Sequence, residues 1–370
     1  MWTATSSRTF RSRQLRRFLL TYLTAVLIPL LFILGVHLKN IRWYYNDTLK
    51  QTALTESILS QYKRSHNVSH TLVMGRTRKD DLSWISRELP DINTAIYSVD
   101  DLHAPLHTRA NKGHEAMPYL SYIIDNYYNL PDVVLFFHPH QKATHNNLVL
   151  DRDTAKTILQ MDLEQVYRDG YANTRCERVP GCPAWLRFDL PEEKLNRYER
   201  KEEEFLTSKL WRDLYQGATP PASIGQSCCA QLAVSRNAIR ARPLSSYVHY
   251  RDWLMSTPLE DGISGRIFEH SWQYMLGGVA EFCPTELDCL YRNYGMLFRS
   301  AEDLKDYQNK LWRKAHWSWR FWQNSAALEN ELNLRKIEAF KRGYLRKRAE
   351  AATPFAFDHS AFQRKIPLRL

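Results

Sequence analysis

Three histidines, two glutamates and one acidic triplet are the residues of this chain best suited to chemistry. His138, Pro139 and His140 follow an apolar run, and His145 comes shortly after. A residue before proline favours extended backbone, and positions two apart in extended chain project to one face. The imidazoles of His138 and His140 should therefore converge, and His145 could complete a three-ligand set with a fourth position open to water or substrate. Imidazole suits zinc and the later transition metals. Three readings stay open for this loop: a metal site, contacts to a polar substrate, or hydrogen bonds that hold the loop. Asp151 and Asp153 bracket Arg152 as D-x-D, a carboxylate pair suited to Mg²⁺ or Mn²⁺. Asp153 also stands where it would cap a helix beginning at Thr154, and capping is the preferred reading. Glu115 opens a helix, where it either complements the helix dipole or acts as a base or a ligand to a sugar hydroxyl. Glu269 is a candidate general base, which would need a raised pKa, with pairing to Arg266 as the alternative.

The elements that must position these groups follow from the apolar spacing. Tyr119, Leu120, Ile123, Ile124, Tyr127 and Leu130 recur at helical intervals before Pro131 and Asp132 break the pattern. Val133 to Phe137 is wholly apolar, as in a parallel strand covered on both faces. Upstream, Thr71 to Gly75 reads as a first buried strand, followed by the polar cluster Arg76, Arg78, Lys79, Asp80 and Asp81. A helix over Leu82 to Leu89 and a second strand over Asn93 to Val99 come next. Beyond Asp153 a helix is expected to about Arg168, then a strand over Cys228 to Val234 and helices over Ser245 to Met255 and Ser264 to Leu276. Strands alternating with helices predict an α/β fold, with a mixed, mainly parallel sheet flanked by helices. Ligands of such sheets gather beyond the carboxyl ends of the strands. No nucleophile elbow, Walker loop, H-E-x-x-H or dinucleotide glycine fingerprint is present.

Phe18 to Val36 is a run of 19 residues without formal charge, about the length that crosses ~30 Å of hydrocarbon. Five arginines precede it, against Lys39 and Arg42 just after. The sequence therefore predicts a cytosolic tail over 1–17, a transmembrane signal anchor over 18–36 and a stem over 37–70. An α/β domain over 71–300 is expected in the Golgi or endoplasmic reticulum lumen, followed by a basic, tryptophan-rich helical extension over 301–370. Asn46 and Asn67 head glycosylation triplets in the stem. All six cysteines lie beyond the anchor, where disulfides persist. Cys176 with Cys182, and Cys283 with Cys289, could each close a local loop, leaving Cys228 and Cys229 to reach elsewhere or stay free. The charge of +11 is accounted for by the anchor flank and the basic extension, and nucleic acid is not an expected partner.

Taken together, LVMGRTRKDDLSWI, NKGHEAMPYLSYIIDNYYNLPDVVLFFHPH, the loop ending THNN, GYANTRC, CCAQLAVSRNAIRARPLSSY and SGRIFEHSWQYMLGG resemble a largely fungal family catalogued only as a domain of unknown function. The likeness covers about residues 70–280. More distantly, the layout is similar to glycosyltransferases of the A-type nucleotide-sugar fold, through the segment Ala230 to Arg236 and the helix from Glu269 to Trp272. This chain departs from that pattern where an acidic pair might stand, because the histidine loop occupies the place. The resemblance implies a nucleotide-sugar donor, a glycan or protein acceptor, and a divalent cation (Mn or Mg before zinc) if any. Under it Glu269 and Glu115 are the catalytic candidates. Arg76, Lys79, Asp81, His138, His140, His145 and Arg236 would bind substrate, and Asp151 and Asp153 are the weaker metal candidates. The alternatives are a non-catalytic glycan-binding or scaffold domain and a histidine-metal hydrolase. All of them require Arg76, Glu115, His138, His140 and Glu269 to surround one cavity.

Overall fold

The computed structural model describes residues 21–36, 38–39, 68–183, 186–188, 207–316 and 322–352. The chain divides into two units, residues 1–64 and 65–370. In the first, residues 21–36 are helical, with a π-helical stretch over Leu23–Leu27 and exposed side chains. No helix among the described residues is long and apolar enough to cross a membrane. Phe18, the arginine flank, Asn46, Asn67 and most of the expected stem lie outside the described residues.

The second unit is built on a five-stranded sheet in the order β2-β1-β3-β7-β4. β1 (His70–Arg76) pairs in parallel with β2 (Thr94–Ser98) on one side and β3 (Val133–Phe136) on the other. The chain thus leaves β1 for one flank, returns across it, and resumes on the opposite flank. β7 (Leu232–Ser235) runs antiparallel to both β3 and β4 (Tyr171–Asn173), so it alone is reversed. The sheet is mixed, as expected, with two parallel and two antiparallel pairings. Leu72, Val73 and Met74 of β1 and all of β3 are fully buried, which explains their unbroken apolar runs. A second sheet joins β5 (Leu186–Arg187), β6 (Ser223–Gln226) and β8 (Glu281–Phe282).

Helix α1 (Ser83–Glu88) connects β1 to β2, and α2 (Ala116–Asn126) connects β2 to β3. Residues Ala116 to Ile123 of α2 are all buried, and Tyr119 meets Phe136 at a ring separation of 4.7 Å and Trp272 at 5.8 Å. Three expected elements differ in detail. The helix after Asp153 is two: α3 (Thr154–Gln160) ends in extended Met161, and Asp162 caps α4 (Leu163–Asp169) by accepting from the Gln165 N–H. The helix over 264–276 is also two, α8 (Asp261–Glu269) and α9 (Trp272–Gly277), separated at His270 and Ser271. The strand expected from Cys228 starts only at Leu232, because Cys229 and Ala230 have φ of 87° and 47°, outside the strand region. Between these lie α5 (Ser208–Leu214), α6 (Arg236–Arg240) and α7 (Leu244–Ser256), and α10 (Glu286–Tyr294) follows β8.

The local disulfide loops suggested by the cysteine spacing do not form. The bonds are Cys176–Cys289, Cys182–Cys283 and Cys228–Cys229. Two of them tie the segment after β4 to the segment that follows β8, across 113 and 101 residues of sequence. Short spacing along the chain misled because the two loops lie side by side in space.

The basic C-terminal helices α11 (Ala301–His316) and α12 (Trp322–Ala352) pack on this unit. Ala339 and Phe340 are buried, and Gly343 lies so close to the Gly295 carbonyl that a Cβ there would sit 1.9 Å from it. Arg335 binds Asp303 and Asp306, Arg342 donates to the Leu297 carbonyl, and Lys347 pairs with Asp162. Part of the positive charge of the described helices is thereby matched within the fold.

Closing so long a loop in the unfolded chain limits its freedom, so replacing Cys176 and Cys289 together by serine should lower stability by about 2–5 kcal/mol. Urea unfolding of wild type and variant measures the difference.

Candidate functional site

The reversal of strand order between β1 and β3 leaves a crevice beyond their carboxyl ends, the place where open α/β sheets hold ligands. An open cleft of about 340 Å³ lies there. Gly75, Arg76 and Thr77 line it from β1, Val99 from β2, and Phe137 to His140 from β3. Asp80, His145, Asn111, His114, Glu115 and Asp261 complete the polar lining.

Close packing sets the position of Glu115. Gly75 faces α2, and a Cβ there would stand 2.5 Å from the ring of Pro118. Pro118 itself occupies the first turn of α2, where the missing N–H is not needed. The N-cap residue of that helix, Glu115, is therefore pressed against the end of β1. A second close approach fixes the other wall: a Cβ on Gly265 would lie 2.7 Å from the His114 ring. Asp261, the first residue of α8, accepts from the Gly113 N–H and stands 3.6 Å from His114 Nε2. His114 holds φ of 51°, an unusual backbone conformation for a residue with a side chain, at the mouth of the cleft.

The histidine loop is anchored on three sides. Trp84 Nε1 donates to the Pro139 carbonyl at 3.0 Å, Thr154 Oγ1 donates to the His140 carbonyl at 2.8 Å, and Gln231 Nε2 donates to Asn146 Oδ1 at 2.6 Å. Within it His138 Nδ1 and His145 Nε2 lie 2.9 Å apart, while His138 Nε2 lies 4.0 Å from Glu115 Oε2. That His138 Nε2 is buried and has no hydrogen-bond partner. Burial, with His145, His140 and His114 nearby, pushes His138 down to about 3, so it is neutral across the physiological range. Burial also lowers His145. Glu115 moves the other way: burial, then the negative charge of Glu269, raises it to about 8. A helix N-terminus favours a carboxylate by about 0.3–1 kcal/mol. A shift from 4.5 to about 8 corresponds to several kcal/mol, so desolvation outweighs the dipole and Glu115 holds its proton at neutral pH. Carboxyl, imidazole and second imidazole thus lie in succession, with a hydrogen-bond contact between the two imidazoles and a wider separation between Glu115 and His138.

The other singled-out residues fall into three groups. Arg76 and His140 line the cleft, with His140 Nδ1 4.0 Å from Asp80 Oδ1. Glu269, at the end of α8, accepts from the Cys229 N–H at 2.6 Å and is not part of the lining, although its charge acts on Glu115 and His145. The remaining residues have structural partners elsewhere. Asp81 receives the Ser83 N–H ahead of α1, and Lys79 is exposed outside the lining. Arg236 pairs with Asp132 at 2.7 Å, beside the start of β3 and hence at the opposite edge of the sheet. Asp151 pairs with Lys156 at 2.6 Å and lies 3.8 Å from Lys336. Asp153 is buried and caps α3 through the Lys156 N–H. The D-x-D segment does not reach the cleft.

Asp80, rather than its neighbour Asp81, is the acid at the strand end; its Oδ2 accepts from the Thr77 N–H and hydroxyl, leaving Oδ1 toward His140. His114 and Asp261 were also missed. Only the adjacency of His114 to Glu115 hinted at the first, and nothing local marks the second, which arrives from a distant helix.

Among the described residues, Cys228, Cys229 and Glu269 are the only three potential ligands gathered within 4.8 Å, and both sulfurs there are bonded to each other. The three histidines do not converge on one ion position, since His145 is turned toward Nδ1 of His138 and not toward the gap facing Glu115.

Fold and site together define a mixed α/β domain with a polar crevice at its strand-order reversal. The chain belongs to the family described as "Protein of unknown function (DUF3431)", whose model matches residues 72–292. That range takes in every lining residue of the cleft and all three disulfides. No curated protein and no solved structure matches the chain.

A carboxyl whose folded pKa lies above its unfolded value binds more protons in the native state, so its contribution to stability falls as pH rises between 4.5 and about 8. Glu115→Gln should therefore gain stability relative to wild type across that interval, by up to ~1.4 kcal/mol per pH unit. Equal unfolding differences at pH 5.5 and pH 8 would show that Glu115 is not so raised.

Proposed function

We propose that the domain is glycosyltransferase-like: it holds a nucleotide sugar in the crevice between β1 and β3 and transfers the sugar to a hydroxyl-bearing acceptor. The observation that carries this reading is the mixed character of the cleft. A cation at its rim (Arg76), hydroxyl-binding polar groups (Thr77, Asn111, Asp80) and a proton-bearing carboxyl beside neutral imidazoles all face one cavity at the strand-order reversal. Arg76 would meet the diphosphate and stabilise the charge that develops on it as the sugar leaves. With its pKa raised toward the working pH, Glu115 would take the acceptor's proton through its ionised minority, a step that general bases typically speed by 10²–10⁴-fold. The base assigned here is Glu115 rather than Glu269, because Glu115 faces the cleft while Glu269 is engaged by the Cys229 N–H. A divalent cation, if bound, would rest on Asp80 and His140, the facing pair at the rim.

Glycan binding without catalysis rests on the same polar lining and differs in having no use for Arg76. A histidine-metal hydrolase has less support, since the imidazoles pair with each other. As part of the same proposal, the apolar run over 18–36, helical at residues 21–36, anchors the protein, with the α/β unit in the lumen.

A nucleoside diphosphate, with Mn²⁺ present, should raise the melting temperature of the protein by roughly 5 °C or more at saturation. Arg76→Ala should abolish that shift. Stabilisation by oligosaccharide alone would transfer the site to the glycan-binding reading. For the anchor, the protein should resist alkaline extraction from membranes and shift in mobility on enzymatic removal of N-glycans. Complete release into the soluble fraction would refute it.

A further inference from the structure

Behind the histidine loop lies a group of residues that the transferase reading does not use. Cys228 and Cys229, adjacent in sequence, are joined in a disulfide. Their sulfurs differ in surroundings: Cys228 is 8% exposed, while Cys229 is partly open to solvent. The Arg175 guanidinium touches both, with Nη1 against Cys228 Sγ and 3.4 Å from Cys229 Sγ. Arg175 is held in place by Glu177 at 3.1 Å, and its own Nε is buried without a partner. A cation beside a sulfur favours the thiolate, and a better-stabilised thiolate leaves faster in thiol–disulfide exchange.

We propose that Cys228–Cys229 is a site of reversible reduction by a dithiol, with Cys229 the sulfur attacked and Cys228 the leaving thiolate received by Arg175. A thiolate of the dithiol forms a bond to Cys229 Sγ as the Cys228–Cys229 bond breaks, and the electron pair departs on Cys228 Sγ. The second thiol of the reductant then attacks the mixed disulfide and releases Cys229. The dithiol ends as its cyclic disulfide, and its two electrons and two protons end on the cysteine pair.

The pair is linked to Glu269 on one side and to the histidine loop on the other. The Cys229 N–H is bonded to Glu269, and the Cys229 backbone holds φ of 87°, which a residue with a side chain keeps only under constraint. Two residues on, Gln231 bonds Asn146 of the histidine loop. Opening the disulfide releases Cys229 from that conformation, so the Glu269 contact and the loop's anchor loosen together. This inference is independent of what the cleft binds.

The folded, full-length protein is treated with a limiting amount of dithiothreitol, alkylated, and mapped by mass spectrometry. Cys228 and Cys229 should be labelled while Cys176–Cys289 and Cys182–Cys283 stay oxidised, and amide exchange should rise over residues 138–146 and 228–232. Labelling that appears only together with opening of the two long-range bonds overturns the proposal. A monothiol such as glutathione should attach to Cys229 and leave Cys228 free. Attachment to Cys228 refutes the assigned direction without any variant being made. Arg175→Gln should slow the exchange on the order of tenfold, with Arg175→Lys between the two. An unchanged rate in a folded Arg175→Gln protein removes Arg175 from the step.

Discussion

The approach of helix α2 to strand β1 is the constraint on which the site depends. The chain must cross over β1 to reach β3, and it does so with a proline ring resting on Gly75. Only a residue without a side chain permits that spacing. Because α2 starts at this contact, its first residues are brought to the mouth of the crevice, where Glu115 is half-buried and shares the lining with Pro118, Phe137 and His138. A carboxyl in such surroundings surrenders its charge before it surrenders its place. The protonation of the cleft is thus decided by backbone packing: Glu115 keeps a proton, His138 does without one, and neither state needs a salt bridge.

A good part of the fold could be read from residue order. β1 and β3 announce themselves because both of their faces are covered, which leaves apolar runs without alternation. Helix α2 shows its stripe, and Gly75, Pro118 and the His138-Pro139-His140 spacing sit where strand ends and helix starts demand. Legibility ends where elements become short or where tertiary bonds override local preference. β4, β5 and β8 have two or three residues each, too few for a period to register. The apolar segment at Cys228 looks like a strand, yet the bond between neighbouring sulfurs bends it away, and β7 then enters the sheet reversed.

The site was legible to the extent that its residues come from strand ends. Arg76, His138 and His140 follow directly from that rule, and Glu115 from its place at the start of the helix that precedes β3. Asp80 and Asp81 could not be separated, because a turn of one residue decides which carboxylate faces the cleft and which accepts from the Ser83 N–H ahead of α1. Arg236 illustrates the opposite error: a basic residue just after a buried strand suggested the ligand edge, but a reversed strand ends at the far edge. The acidic pair Asp151 and Asp153 is similarly explained by its surroundings, one carboxylate held between lysines and the other capping a helix. Lys336 could not be assigned from spacing, since it comes from the C-terminal helix.

The two bonds that span more than a hundred residues have a consequence for how the chain can come apart. Cys176 and Cys182 stand on one side of the long polar stretch at 189–206, and Cys283 and Cys289 stand on the other. A protease that cuts within that stretch therefore frees no fragment. The halves remain one molecule on a non-reducing gel and separate only when thiol is added, so a nicked protein would pass for an intact one by mass alone.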